Sequence, residues 1–122
     1  MGELPLSRLL LLNDSRYPWF VLVPRREAIT EIYQLDEAEQ QQLLRESSQL
    51  GQFLMESFNG DKLNIGALGN LVPQLHVHHI VRYKDDEAWP GPVWGVGVSE
   101  PYTGAELQSV SAMCQPLLTQ LS

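Results

Sequence analysis

All three histidines of the chain, His76, His78 and His79, lie within QLHVHHIVRY at residues 74–83. A neutral imidazole can attack phosphorus and leave again in a second step, ligate a metal, or satisfy hydrogen bonds in a core. The stretch has the apolar content of a strand, and strand side chains alternate between two faces. Leu75, Val77, His79 and Val81 then share the core-facing side, and Gln74, His76, His78, Ile80 and Arg82 share the other. His76 and His78 stand about 6.5–7 Å apart along one face, with Gln74 and Arg82 beside them. His79 points the opposite way and reads as an interior histidine with satisfied hydrogen bonds. For the same-face pair three readings stay open: nucleophilic attack on a phosphoryl or nucleotidyl group, metal ligation, and plain strand histidines with satisfied hydrogen bonds. Zinc normally takes three or four protein ligands or a water in their place. The chain has no fourth histidine and Cys114 sits in an apolar pattern, so a metal here needs carboxylates from elsewhere.

The elements that must position this stretch are legible around it. Residues 6–13, LSRLLLLN, form a short apolar strand closed by the turn chemistry of NDSRYP. Residues 19–24, WFVLVP, form a second strand, and the short connection predicts a hairpin. A short helical turn is expected within 27–33. Asp36 followed by Glu39 has capping-box spacing. Leu43, Ser47, Leu50, Phe53, Leu54 and Phe58 then keep a helical stripe, with Gln40, Gln41, Arg45, Glu46 and Gln49 toward water. NGD at 59–61 ends this long helix with a glycine stop. Residues 62–69, KLNIGALG, predict a third strand running into a Gly-rich loop, and residues 71–83 a fourth. Residues 85–100 are a Pro/Gly/Trp-rich loop. Thr103 and Glu106 repeat the capping-box spacing, and Leu107, Val110, Cys114, Leu117, Leu118 and Leu121 continue as a helix that Pro116 is expected to kink or interrupt. The pattern is one α+β domain over residues 1–122, an antiparallel sheet with helices on one side.

Composition bounds the partners. With 122 residues and 43% apolar content, one self-sufficient core is expected. A formal charge of −7 argues against a surface for duplex nucleic acid, which needs clustered cations, but leaves room for a small anion held by local amides and imidazoles. The lone Cys114 offers no internal disulfide. The longest apolar run, Leu9 to Leu12, falls far short of the ~20 residues that span a bilayer, and no signal peptide is evident. A cytoplasmic protein without membrane contact is expected.

QLHVHHIVR resembles the signature of the histidine-triad (HIT) superfamily, in which His alternates with apolar residues on a strand. LNIGALGNLVPQLHVH is similar to the family's order of Asn, Gly-rich loop, Gln and His. LLLLNDSRYPWFVLVPRR resembles its strand, Asp turn and L-V-x-P strand, and Trp89-Pro90-Gly91, thirteen residues after His76, resembles the W-P-P-G ending of the nucleotide-binding branch. The likeness spans roughly residues 8–95. It implies a HIT-like fold, with an antiparallel sheet of about five strands, one long helix and a C-terminal helix. It also implies hydrolysis or transfer at phosphorus on phosphoramidate or nucleotidyl substrates, a homodimer whose sheets join, and no metal or other cofactor. His78 matches the family's nucleophile and His76 the histidine that orients it and meets the phosphate. Asn13 and Asp14 match the turn that contacts the ribose, Asn64 an asparagine on the phosphate side, and Gln74 a neutral donor near the phosphate.

The chain also departs from the pattern. Ile80 occupies the third histidine position, and His79 is displaced by one residue and so faces the other way. Trp19 stands where the family has an earlier histidine. A nucleotide-binding or regulatory module with little turnover therefore stands as the alternative, and a two-His metal site as a further one. Plainer readings stay open too: Asn13 and Asp14 as turn formers, Asn64 as a strand-end cap, and Trp89 and Trp94 as loop anchors rather than residues near a partner's site.

Overall fold

The computed structural model describes residues 1–121. Five strands form one antiparallel sheet in the order β1 (Gly2–Glu3), β2 (Ser7–Leu11), β3 (Trp19–Pro24), β5 (Val77–Arg82), β4 (Lys62–Gly66). A single-turn 3-10 helix (Ile32–Gln34) leads into α1 (Glu37–Phe58), and α2 (Gly104–Leu121) closes the chain. The β2–β3 hairpin is as predicted, in the register Ser7 opposite Pro24 through Leu11 opposite Phe20. β1 was not anticipated, since two residues carry no periodicity. The short helical turn lies at 32–34, at the late edge of the expected window.

Both helices pack on one face of the sheet. Leu43, Leu50 and Leu54 of α1 and Val110, Cys114 and Leu117 of α2 meet Leu9, Phe20, Leu22, Val77 and Val81 in the main core. α1 starts where the capping box places it: the Asp36 carboxylate accepts from Glu39 N–H at 2.8 Å, and Glu39 accepts from Asp36 N–H. Its end differs in detail. Asn59, not Gly60, takes the left-handed conformation (φ 52°), a role its short polar side chain tolerates. Glu46 departs from the expected solvent face. It is buried, accepting from Leu6 N–H at 2.8 Å and Gln42 Nε2 at 3.0 Å, because the β1–β2 turn folds across this part of α1.

α2 has the predicted cap, with Thr103 Oγ1 accepting from Glu106 N–H and Glu106 from Thr103 N–H. It runs through Pro116 without interruption. The proline faces solvent, where water can serve the carbonyl that the missing N–H leaves unpaired. Leu107 is exposed rather than part of the stripe, and the side chain of Leu121 lies outside the described residues. Cys114 is fully buried as expected, and burial pushes its thiol up to about 11.

β5 runs between β3 and β4, and all six of its residues are buried. It is shorter than the expected 71–83. Gly69 takes a positive φ and Pro73 offers no N–H for a ladder, so the chain joins the sheet only at Val77. The face opposite the helices is covered by the chain after β5. Tyr17, Trp19, Val21, Ile80 and Val93 form a second apolar cluster there, with Val23, Ala88 and Trp94 against it.

Candidate functional site

The strand alternation sorts the histidines as their spacing predicts. His79 lies on the helix face, fully buried. Its Nδ1–H donates to the Val77 carbonyl at 3.1 Å, which leaves Nε2 to accept from the Ser47 hydroxyl of α1 at 2.7 Å. Both ring nitrogens are satisfied by a neutral imidazole, and burial pulls its pKa down to about 4.

His78 lies on the other face, between Val21 of β3 and Gly66 of β4. It is 8% exposed. The Trp19 indole N–H donates to His78 Nδ1 at 2.9 Å. An indole nitrogen only donates, so Nδ1 supplies a lone pair, and in the neutral ring the proton resides on Nε2. A second proton at Nδ1 would face the indole N–H. Burial lowers the His78 pKa from its ordinary value, and the neighbouring His76 lowers it further. Trp94 adds another wall, edge-on to His78 with ring centres 5.4 Å apart. It lies on Gly66, where a Cβ would come within 3.3 Å of the indole.

His76 sits one residue before β5 and is half-buried. Its ring centre is 5.1 Å from that of His78. Its Nδ1–H donates to the Gln74 carbonyl at 2.7 Å, so its Nε2 carries the lone pair. Among the described residues no group takes that lone pair. The two rings border two open clefts. One, of about 320 Å³, is lined by Leu10, Leu12, Val21, Val23, Val72 and Gln74. The other, of about 420 Å³, runs along the Gly-rich segment from Leu68 to Val72 and ends on Trp94.

Of the other expected site residues, only Gln74 joins this cleft, with its Nε2 donating to the Pro24 carbonyl at 3.3 Å. Asp14 is 2% exposed, and its carboxylate accepts from Arg16 Nη2 at 2.8 Å, from Arg16 N–H and Nε, and from Glu100 N–H. The Arg16 guanidinium holds the Asp14 carboxyl below the usual carboxylate range. Asn13 accepts from Tyr102 N–H at 2.9 Å. The pair thus ties the β2–β3 turn to the segment entering α2. Arg16 reaches on to Glu87 and to the Val96 carbonyl, clamping the loop. Asn64 accepts from Arg82 Nη1 at 2.8 Å. Arg82 is buried, paired with both oxygens of Asp86 and stacked over Tyr17 and Trp89. Trp89 therefore anchors the loop through Arg82, and Trp94 lies at His78 of its own chain. Ile80 is fully buried among Trp19, Val21 and Val93.

Sequence reading did not anticipate the indole-to-imidazole bond. The signal that pointed to it was the departure at Trp19 itself, a donor-only side chain at a histidine position. Among the described residues no three or more His, Cys, Asp or Glu side chains converge as metal ligands. No helix among them is long and apolar enough to cross a membrane.

Residues 1–85 match the family model described as HIT domain. A histidine triad protein from Marinobacter aquaeolei VT8 is 57% identical, with 99% of this chain and 88% of that one covered at a TM-score of 0.97. A histidine triad protein from Bradyrhizobium japonicum is 48% identical, covering 98% and 87% at 0.91. One from Sinorhizobium meliloti 1021 is 40% identical, covering 99% and 87% at 0.91. No curated protein matches. The five strands that hold His76 and His78 at this cleft are matched by the family model, and almost the whole chain superposes on histidine triad proteins: the chain belongs to the HIT domain family.

Proposed function

We propose that the chain binds a nucleotide or related small phosphate compound at His76 and His78 and hydrolyses or transfers it at phosphorus. The observation that carries this reading is the pair of imidazoles, 5.1 Å apart, where an apolar cleft of about 320 Å³ meets a Gly-rich segment. That volume lies in the range of small-ligand pockets, the apolar wall suits a base, and exposed backbone beside two ring nitrogens suits a phosphate. The family resemblance favours phosphoramidate or nucleotidyl substrates and assigns the attack to His78, with no metal needed for that step. Asp14, which the resemblance pairs with the ligand, is buried on Arg16, and the side-chain oxygens of Asn13 and Asn64 accept from Tyr102 N–H and Arg82, so the ligand contacts proposed are His76, His78, Gln74 and the 68–72 backbone.

One observation favours a second reading, a binding module with little turnover. The Trp19–His78 bond takes the Nδ1 lone pair and leaves a proton on Nε2. Incubation with an adenosine phosphoramidate, with and without chelator, separates the two. Turnover that survives chelation and is lost in His76→Ala or His78→Ala supports the enzyme. AMP binding without turnover in the parent protein points to the module, and loss of activity on chelation to a metal site.

A homodimer fits the uncovered apolar surface along edge strand β4. Ile65 (52% exposed), Leu44 (66%) and Ile32 (46%) surround an open cavity of about 590 Å³ there, and an unpaired edge is a site where a second copy's sheet can join. Sedimentation of the parent and of Leu44→Asp tests it: two equal masses at the monomer value refute it. A buried free thiol and the absence of a spanning helix among the described residues suit a cytoplasmic setting.

A further inference from the structure

We propose that the cleft has a second anion subsite at its far end, formed by Arg8, Arg25 and Arg26, and that the preferred ligand carries a second phosphate across the nucleoside from the one at the histidines. The joining of both phosphates in one ligand rests on the nucleotide reading above; the subsite itself does not.

The sheet register lays this end out. Leu10 of β2 pairs with Val21 of β3, which pairs in turn with His78 of β5. Arg8 pairs with Val23, one register step past the Leu22–Val77 pair and so level with His76. Leu9, between Arg8 and Leu10, faces the main core, so Arg8 and Leu10 share the face that carries the two histidines. Arg8 and His76 therefore stand two strands apart on one face, with about 10 Å between their backbones. The cleft of about 320 Å³ at the histidines shares Leu10, Val23 and Gln74 with a further open cavity of about 400 Å³. Arg8, Arg25 and Arg26 line that cavity, with Glu27 as its one carboxylate.

Positive charge is concentrated here. The chain has eight Lys and Arg against a net charge of −7, yet three of the eight line this one cavity. Arg16 and Arg82 are taken by Asp14 and Asp86 elsewhere. A single carboxylate, Glu3, serves both Arg8 at 3.1 Å and Arg25 at 3.4 Å, and Arg26 pairs with Glu39. The Arg8 and Glu3 side chains are 57% and 52% exposed. Exposed pairs of this kind contribute little, so a phosphate dianion can take the carboxylate's place. Backbone carbonyls hold the other two guanidinium groups without neutralising them. Arg25 Nη2 donates to Leu4 at 2.7 Å and to Pro5 at 3.0 Å, and Arg26 Nη1 donates to Arg25 at 2.8 Å. Between the histidines and the arginines, Leu10, Val21 and Val23 supply the apolar wall that a base can cover.

Titration of the parent protein with inorganic pyrophosphate alone, followed by NMR of the arginine Nε–H groups, tests the subsite. The Arg8 and Arg25 signals are expected to move, while that of Arg45, an exposed arginine on α1, stays in place. No movement at Arg8 and Arg25, or equal movement at Arg45, overturns the subsite. Calorimetry with AMP and with adenosine 2′,5′- and 3′,5′-bisphosphate then tests the ligand. At low salt the parent is expected to bind one of the bisphosphates about tenfold more tightly than AMP, and that advantage is expected to shrink as salt rises. In Arg8→Gln the ratio is expected to fall to about one. Arg8 is the residue to change because its side chain is exposed and bonds to Glu3 on the surface, so the fold does not depend on it; circular dichroism of the variant checks this. A parent that binds AMP and both bisphosphates equally, or an unchanged ratio in a folded Arg8→Gln, overturns the two-phosphate ligand. Pyrophosphate shifts at Arg8 and Arg25 with no binding of AMP or either bisphosphate refute the nucleotide reading and support the subsite.

Discussion

Replacing His79 with leucine is expected to flatten the loss of stability that the parent protein suffers as pH falls. In the folded chain His79 is enclosed between Val77 and the Ser47 hydroxyl with no exposed surface, and burial pulls its pKa from 6.5 to about 4. The unfolded chain has the ordinary value. Because the folded value is the lower one, the unfolded state binds the proton first. The stabilisation is therefore complete above pH 6.5 and is lost as pH falls toward 4. Each unit of displacement is worth about 1.4 kcal/mol, so the ceiling is roughly 3 kcal/mol, and roughly 2 kcal/mol of it is gone by about pH 5. Leucine cannot take up that proton. Urea unfolding followed by circular dichroism, for both proteins at about pH 8 and about pH 5, isolates this contribution as the difference between their two losses. Asp14, Glu39 and Asp86 also have lowered pKa values and His78 titrates as well, but these groups are common to both proteins. The variant starts less stable, since Ser47 loses its acceptor, so the comparison rests on the slope. Equal losses in parent and variant would refute the reasoning.

Further outcomes follow from the loop and the second cluster. Ile80→His, which restores an imidazole to the third motif position, is expected to lower stability by about 1–3 kcal/mol, because the ring enters an apolar cluster without a partner, and to bring no rise in phosphoramidate turnover. A faster, equally stable variant would count against this. Arg82→Leu leaves Asp86 as an uncompensated buried charge and is expected to cost about 3–5 kcal/mol in urea unfolding; a loss under about 1 kcal/mol would fit a surface pair instead. Asp14→Ala is expected to loosen residues 96–102, read as faster amide exchange there, with little change in AMP affinity. A large affinity loss with unchanged exchange would restore Asp14 as a ligand contact.

Local periodicity and capping chemistry were legible in this sequence because they depend on neighbours within four residues. The hairpin of β2 and β3, both capping boxes, the α1 stripe and the split of the histidines between two faces are all of this kind. The order of these elements gave the α+β architecture, and the family likeness added a HIT-like sheet of about five strands and pointed to His76 and His78. Contacts between distant segments were not legible. Glu46 reads as a solvent-facing helix residue until the β1–β2 turn lays Leu6 N–H across it. Asp14 and Asn64 look available until Arg16 and Arg82 occupy their oxygens.

The same division runs through QLHVHHIVRY. Period-two alternation alone determined that His76 and His78 share a face and that His79 leaves it. Only the tertiary structure decided what each ring can do, because the proton on an imidazole is placed by whatever group meets the other nitrogen. For His76 and His79 that group is a backbone carbonyl two residues back, with the Ser47 hydroxyl, thirty-two residues away, meeting the His79 nitrogen left unprotonated; for His78 it is the Trp19 indole fifty-nine residues away.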